Sequence, residues 1–111
     1  MKLPNAELAI IDEEKIRDYC LNMDHPRGKY KARVFQSALG LVPSDTDELI
    51  AVIKKRIRDS ECEKGEIDMY GQRYTVDIEI EIASKKAVVR TGWIIKRNEI
   101  QPRLTTCYVK S

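Results

Sequence analysis

Between residues 74 and 82 apolar and polar side chains alternate without a break: Tyr74, Val76, Ile78, Ile80 and Ile82 are interleaved with Thr75, Asp77, Glu79 and Glu81. Side chains on a strand point alternately to its two faces, so this pattern predicts a strand buried on one side. Ala83-Ser84-Lys85-Lys86 reads as a hairpin connection into a return strand over residues 87–96. That strand places Ala87, Val89, Thr91, Trp93 and Ile95 on one side and Val88, Arg90, Gly92, Ile94 and Lys96 on the other. Residues 97–102 form a loop and residues 103–109 a last strand. Tyr70-Gly71 marks a turn, which makes residues 67–70 a short partner strand after a polar connection over 61–66.

Upstream the period changes to that of a helix. Asp12 reads as an N-cap, with Glu13 and Glu14 in the first turn, where the helix dipole favours negative charge. Ile16, Tyr19, Cys20 and Met23 then place a first helix over about residues 13–22. A second helix over 29–39 turns Val34, Phe35, Ala38 and Leu39 inward and stops at Gly40. A third starts near Thr46 or Asp47, runs to about Ser60, and buries Leu49, Ile50, Ile53 and Ile57. Residues 2–11 are an extended lead-in or an edge strand. The expected architecture is α+β in one domain over residues 1–111: three N-terminal helices on one face of a three- to four-stranded antiparallel sheet.

Composition narrows the class. With 42% apolar and 34% charged residues the chain folds as a globule. No apolar run approaches the roughly 20 residues a membrane helix needs, and no leader-like segment follows Met1, so the expected location is cytoplasmic. Cys20, Cys62 and Cys107 are widely spaced and contain no C-x-x-C pair, which argues against a disulfide framework or a zinc site. Cys20 and Cys107 read as small core residues. No metal or other cofactor is expected, and the oligomeric state is left open.

Net charge is +2, but it is unevenly distributed: −3 over residues 1–24, +4 over 25–43, −5 over 44–84 and +6 over 85–111. Brought together, the two basic blocks would suit an anionic partner; kept apart, they would pair with the acidic blocks. The first block contains His25-Pro26-Arg27-Gly28-Lys29, with the only histidine of the chain. A histidine at a loop-to-helix junction is suited to proton transfer, and lysines beside it to a phosphate. The expected catalytic set is His25, Lys29, Arg90, Arg103 and Thr105, with Lys31, Arg33 and Lys96 as RNA contacts. Pleat geometry keeps Arg103 and Thr105 on one side. Plainer readings stand beside these: His25 as a helix cap, Lys29, Lys31 and Arg33 as a solvated face, Arg90 and Arg103 as cross-strand partners of Asp77 or Glu79. Gly28-Lys29 lacks the upstream glycine and the following Ser or Thr of a P-loop, the tyrosines show no RNP-type arrangement, and Trp93 belongs to the core.

Leu3-Pro4-Asn5-Ala6-Glu7, His25-Pro26-Arg27-Gly28-Lys29, Phe35, Leu39-Gly40, Tyr70-Gly71-Gln72-Arg73-Tyr74, Val89-Arg90-Thr91-Gly92-Trp93-Ile94 and Pro102-Arg103-Leu104-Thr105-Thr106-Cys107-Tyr108 together resemble an uncharacterised bacterial domain family. Its members look like stand-alone cyanobacterial proteins and C-terminal domains of polymorphic toxins. Such domains are similar to the compact ribonuclease toxins of the barnase, EndoU, colicin and RelE group, which cut RNA without a metal. The resemblance implies that His25 and Lys29 belong to the site, that Arg90, Thr91, Arg103 and Thr105 line it, and that a small neighbouring protein acts as inhibitor or partner. Thr91 conflicts with the pleat, which turns it inward. The expected function is a toxin-type, metal-independent endoribonuclease. The alternatives are a non-catalytic module that binds a small partner protein and a non-enzymatic RNA-binding domain.

Overall fold

The computed structural model describes residues 1–110 and has two layers, helices on one face of a four-stranded sheet. After a 3₁₀ turn at Ala6–Leu8, Asp12 caps α1 (Glu13–Lys15) by accepting the Glu14 N–H at 2.9 Å. The helix continues as a π turn, Ile16–Cys20, closed by the Leu21 N–H on the Ile16 carbonyl. The expected first helix is therefore shorter, and the looser turn buries Leu21, whereas Met23 stays exposed.

The second helix, α2 (Lys29–Leu39), has the expected bounds, and Gly40 ends it in the left-handed conformation at φ 70°. Its buried side is Ala32, Phe35 and Leu39. Val34, expected inward, is exposed, because one residue on a helix turns the side chain by about 100° from Phe35. A 3₁₀ turn, Pro43–Asp45, leads into α3 (Thr46–Arg56). Here the Asp45 carboxylate accepts the Val42 N–H, and the Thr46 hydroxyl donates to the Pro43 carbonyl. Leu49, Ile53 and Ile57 are buried, and Ile50 only partly.

The strands β1 (Cys62–Asp68), β2 (Gly71–Ile82), β3 (Lys85–Lys96) and β4 (Arg103–Val109) form an antiparallel meander in the order β1-β2-β3-β4. The β1 strand occupies what reads as a polar connection. Most of its residues are exposed and show no alternation, so backbone pairing to β2 holds it. A register shift between Lys64 and Ile67 is filled by the Gln72 amide, which donates to the Gly65 and Glu66 carbonyls.

The inward faces of β2 and β3, Val76, Ile78, Ile80, Val89 and Trp93, meet Phe35, Leu39, Leu49 and Ile53 in one core. Each such side chain, fully buried, contributes about 1.5–3 kcal/mol of hydrophobic stabilisation. Thr91 is fully buried on this face, where its hydroxyl donates to the Val76 carbonyl and accepts from the Trp93 indole N–H. It is a core residue, as the pleat requires. Among the described residues no helix is long and apolar enough to cross a membrane.

The edge strand β4 carries the feature that shapes the site. Thr106 pairs with Gly92 and Leu104 with Trp93, so Thr105 is an extra, bulged residue. The bulge resets the alternation, which allows Leu104 and Cys107, three apart, both to face the core. Gly92 makes room for it: a Cβ there would lie 2.6 Å from the Thr106 methyl carbon and 3.0 Å from the Thr105 hydroxyl oxygen.

Candidate functional site

A cleft of about 460 Å³ opens between the edge of β4, the first helix and the loop before α2. Thr105, Thr106 and Cys107 form one wall; Glu14, Lys15, Asp18 and Tyr19 form the other; His25 and Lys31 close it. Backbone geometry fixes the His25 loop. The His25 carbonyl accepts the Lys29 N–H at 3.0 Å, and the ring Nδ1 accepts the N–H groups of Arg27 and Gly28, each at 3.0 Å. The imidazole thus caps the start of α2. Gly28 packs so tightly on the Tyr19 backbone that a Cβ would collide with the Tyr19 carbonyl oxygen. The Tyr19 ring meets His25 edge-on, with centroids 4.7 Å apart. With Nδ1 held as an acceptor, the neutral ring carries its hydrogen on Nε2.

Cations and carboxylates share the cleft. The Lys15 ammonium donates to the Thr105 carbonyl at 3.4 Å, and the Lys31 ammonium lies 4.9 Å from the centre of the Tyr108 ring. Neither has an ion-pair partner among the described residues. Asp12 is occupied by its cap and Asp18 by Arg17, which leaves Glu14 as the cleft carboxylate without an ion-pair or hydrogen-bond partner among the described residues. At the inner end Cys107 donates to Cys20; this bond, against the cost of burial and with help from Lys31 and Lys15, pushes the Cys20 thiol down. The same bond and burial push Cys107 up. Among the described residues no three His, Cys, Asp or Glu side chains converge as a metal site.

A second groove, of about 290 Å³, adjoins the first through Asp12, Lys15 and Thr105, and brings in Lys96 and Arg103.

Residues 2–111 match the family described as a domain of unknown function, DUF6883. The chain belongs to the DUF6883 family. No curated protein matches the sequence. A solved structure with a similar fold is a chain of a contact-dependent growth inhibition toxin–immunity protein complex from Klebsiella pneumoniae 342. The two share 16% identity and a TM-score of 0.67, over 91% of this chain and 99% of that one. At this identity the likeness is one of fold.

Of the residues singled out in the DUF6883 sequence, His25, Lys31 and Thr105 line the cleft, and Lys96 and Arg103 the adjoining groove. Arg103 pairs with Glu99 through both carboxylate oxygens, at 3.1 and 3.3 Å, and not with Asp77 or Glu79. Arg90 stands outside the cleft, on the outer sheet face. It binds Asp77 at 2.8 and 3.0 Å, which holds its guanidinium charged and the Asp77 carboxyl below the usual carboxylate range. Lys29 and Arg33 flank the exposed Tyr30 ring on α2, 5.2 and 5.8 Å from its centre. Lys15, Glu14 and Tyr19 are among the cleft residues that carry no site signal in the sequence. Glu14 carries only the signature of a first-turn helix charge and Lys15 none, and only the docking of that helix along β4 gives them a shared space.

Proposed function

We propose that this DUF6883 domain is a toxin-type endoribonuclease that cleaves RNA phosphodiesters without a metal. The observation that carries the reading is the convergence of His25, Glu14 and the unpaired ammonium groups of Lys15 and Lys31 on one open cleft. Likeness of fold to a chain of a toxin–immunity complex supports it. In this mechanism Glu14 takes the proton of a ribose 2′-hydroxyl, whose oxygen attacks the adjacent phosphorus. Charge gathering on the phosphorane meets the His25 Nε2–H and the Lys15 ammonium. The bond from phosphorus to the 5′-oxygen breaks as Lys31 supplies a proton to that oxygen. The products are a 2′,3′-cyclic phosphate and a 5′-hydroxyl. Arg103 and Lys96 hold the neighbouring phosphate.

The test is incubation of the purified protein, freed of any bound partner, with total tRNA and rRNA in EDTA. His25→Asn is the informative variant, because the asparagine side-chain oxygen can keep the cap on the Arg27 and Gly28 N–H groups while Nε2 is lost. Its cleavage should fall by about 10²-fold or more. Full activity in a folded His25→Asn protein refutes the mechanism.

A second reading, a module that binds a small partner protein, draws on the same likeness, since that structure is a complex of two proteins. Its mark is a co-purifying partner with no cleavage. RNA bound and released intact would mark a non-enzymatic RNA-binding domain.

A further inference from the structure

Beside the N-terminal segment, Lys54, Lys55 and Arg58 converge on a groove of about 330 Å³ whose remaining lining is Ala6, Glu7 and Ala9. All three cations are exposed, and none has an ion-pair partner among the described residues. The helix dipole favours cations at the end of α3, but it acts equally all round the helix and does not account for their gathering on one side. Lys54 and Lys55 lie in the last turn of α3 and Arg58 just beyond its end, so three like charges line one groove.

The groove borders the same segment as the site. Ala9 lines it; the next residue, Ile10, lines the groove of Arg103 and Lys96; and Asp12 and Lys15 are shared by that groove and the His25 cleft. Residues 6–15 thus border, in chain order, the groove of Lys54, Lys55 and Arg58, that of Lys96 and Arg103, and the cleft of Lys15 and Lys31, and trace a path past all three. The acidic residues in these linings are Glu7, Asp12, Glu14 and Asp18, the last paired with Arg17.

We propose that this path is a track for an RNA backbone, in which Lys54, Lys55 and Arg58 hold phosphates several nucleotides from the bond placed at His25. The inference rests on the ribonuclease reading and adds the substrate class: a long or structured RNA that reaches both ends of the path, bound mainly through its phosphates. A polyanion fits such a surface better than a protein does, because cations without ion-pair partners among the described residues outnumber the exposed large apolar side chains of the segment, Leu8 and Ile10.

The test compares wild type with a Lys54→Gln/Lys55→Gln/Arg58→Gln variant, and with Lys64→Gln/Lys85→Gln/Lys86→Gln as a control for losing three charges elsewhere. Binding of full-length tRNA is measured from low to high KCl, and cleavage is measured on a dinucleotide too short to reach α3. In the α3 variant the slope of log affinity against log salt should fall by about 2 to 3, with affinity about tenfold or more lower, while dinucleotide cleavage and the control keep wild-type values. A wild-type slope in the α3 variant, or an equal fall in the control, overturns the proposal. RNA that binds with the expected slope change but is never cut refutes the ribonuclease reading alone; a wild type that binds no RNA refutes both.

Discussion

Thr91→Val separates a core role for Thr91 from a place in the site. The hydroxyl is fully buried, donates to the Val76 carbonyl at 2.7 Å and accepts the Trp93 indole N–H at 2.8 Å. Valine nearly matches threonine in shape, so the variant opens no cavity and its effect is that of the two bonds. The indole N–H, left inside an apolar core, costs about 1–3 kcal/mol, and loss of the donated bond about 1 kcal/mol more. The extra methyl recovers part of this, which leaves about 2–3 kcal/mol. For a chain of 111 residues the unfolding entropy per residue makes that a fall of about 10 °C in Tm. Trp93 is the sole tryptophan, so its fluorescence during urea unfolding reports on the residue whose bond has been cut. Thr91→Ser keeps both bonds, loses one buried methyl, and should cost about 1 kcal/mol. Thr91→Val within about 0.5 kcal/mol of wild type would refute the account, since changes of that size are typical of surface positions. RNA cleavage by the folded variant should be unchanged, because Thr91 does not reach the cleft.

Gly28→Ala should destabilise the domain by about 1–3 kcal/mol, because the Tyr19 backbone would have to move to admit a Cβ, and urea unfolding measures the loss. The same variant should lower cleavage, since the shift separates Tyr19 from His25. Asp77, held below the usual carboxylate range chiefly by Arg90 and then by Lys110, contributes stability that is present above its unfolded pKa of about 3.9 and is lost as pH falls through the lower folded value. The gap in urea midpoint between wild type and Asp77→Asn should therefore be open at neutral pH and close progressively below about pH 4; a gap constant down to pH 2 would contradict this.

Where an element buries one face, its signature was written in the sequence. The alternation of Tyr74 to Ile82, the apolar spacing of Leu49, Ile53 and Ile57, the Asp12 cap and the Gly40 stop are local consequences of pleat, helix period and backbone sterics, and the structure follows each. The β1 strand left no such mark. An exposed edge strand has little to bury, and its stability comes from pairing with β2, which no periodicity encodes.

The site was legible as a list of residue types and not as a place. His25 was visible as a lone histidine at a helix start, but that its Nδ1 caps α2 depends on loop geometry. Which cations share a space with it was decided by docking. Lys31 projects toward β4, whereas Lys29 and Arg33, two residues to either side, flank Tyr30; and Arg90 is drawn to Asp77 across the sheet. Sequence alone determined the element types other than β1, the order of helices before sheet, and two basic blocks separated by an acidic one, because these follow from short-range periodicity and charge. Only the tertiary structure decided that the blocks meet along β4 and that Glu14 and Lys15 face His25, because those neighbours lie far apart in the chain and are joined by packing on a common core.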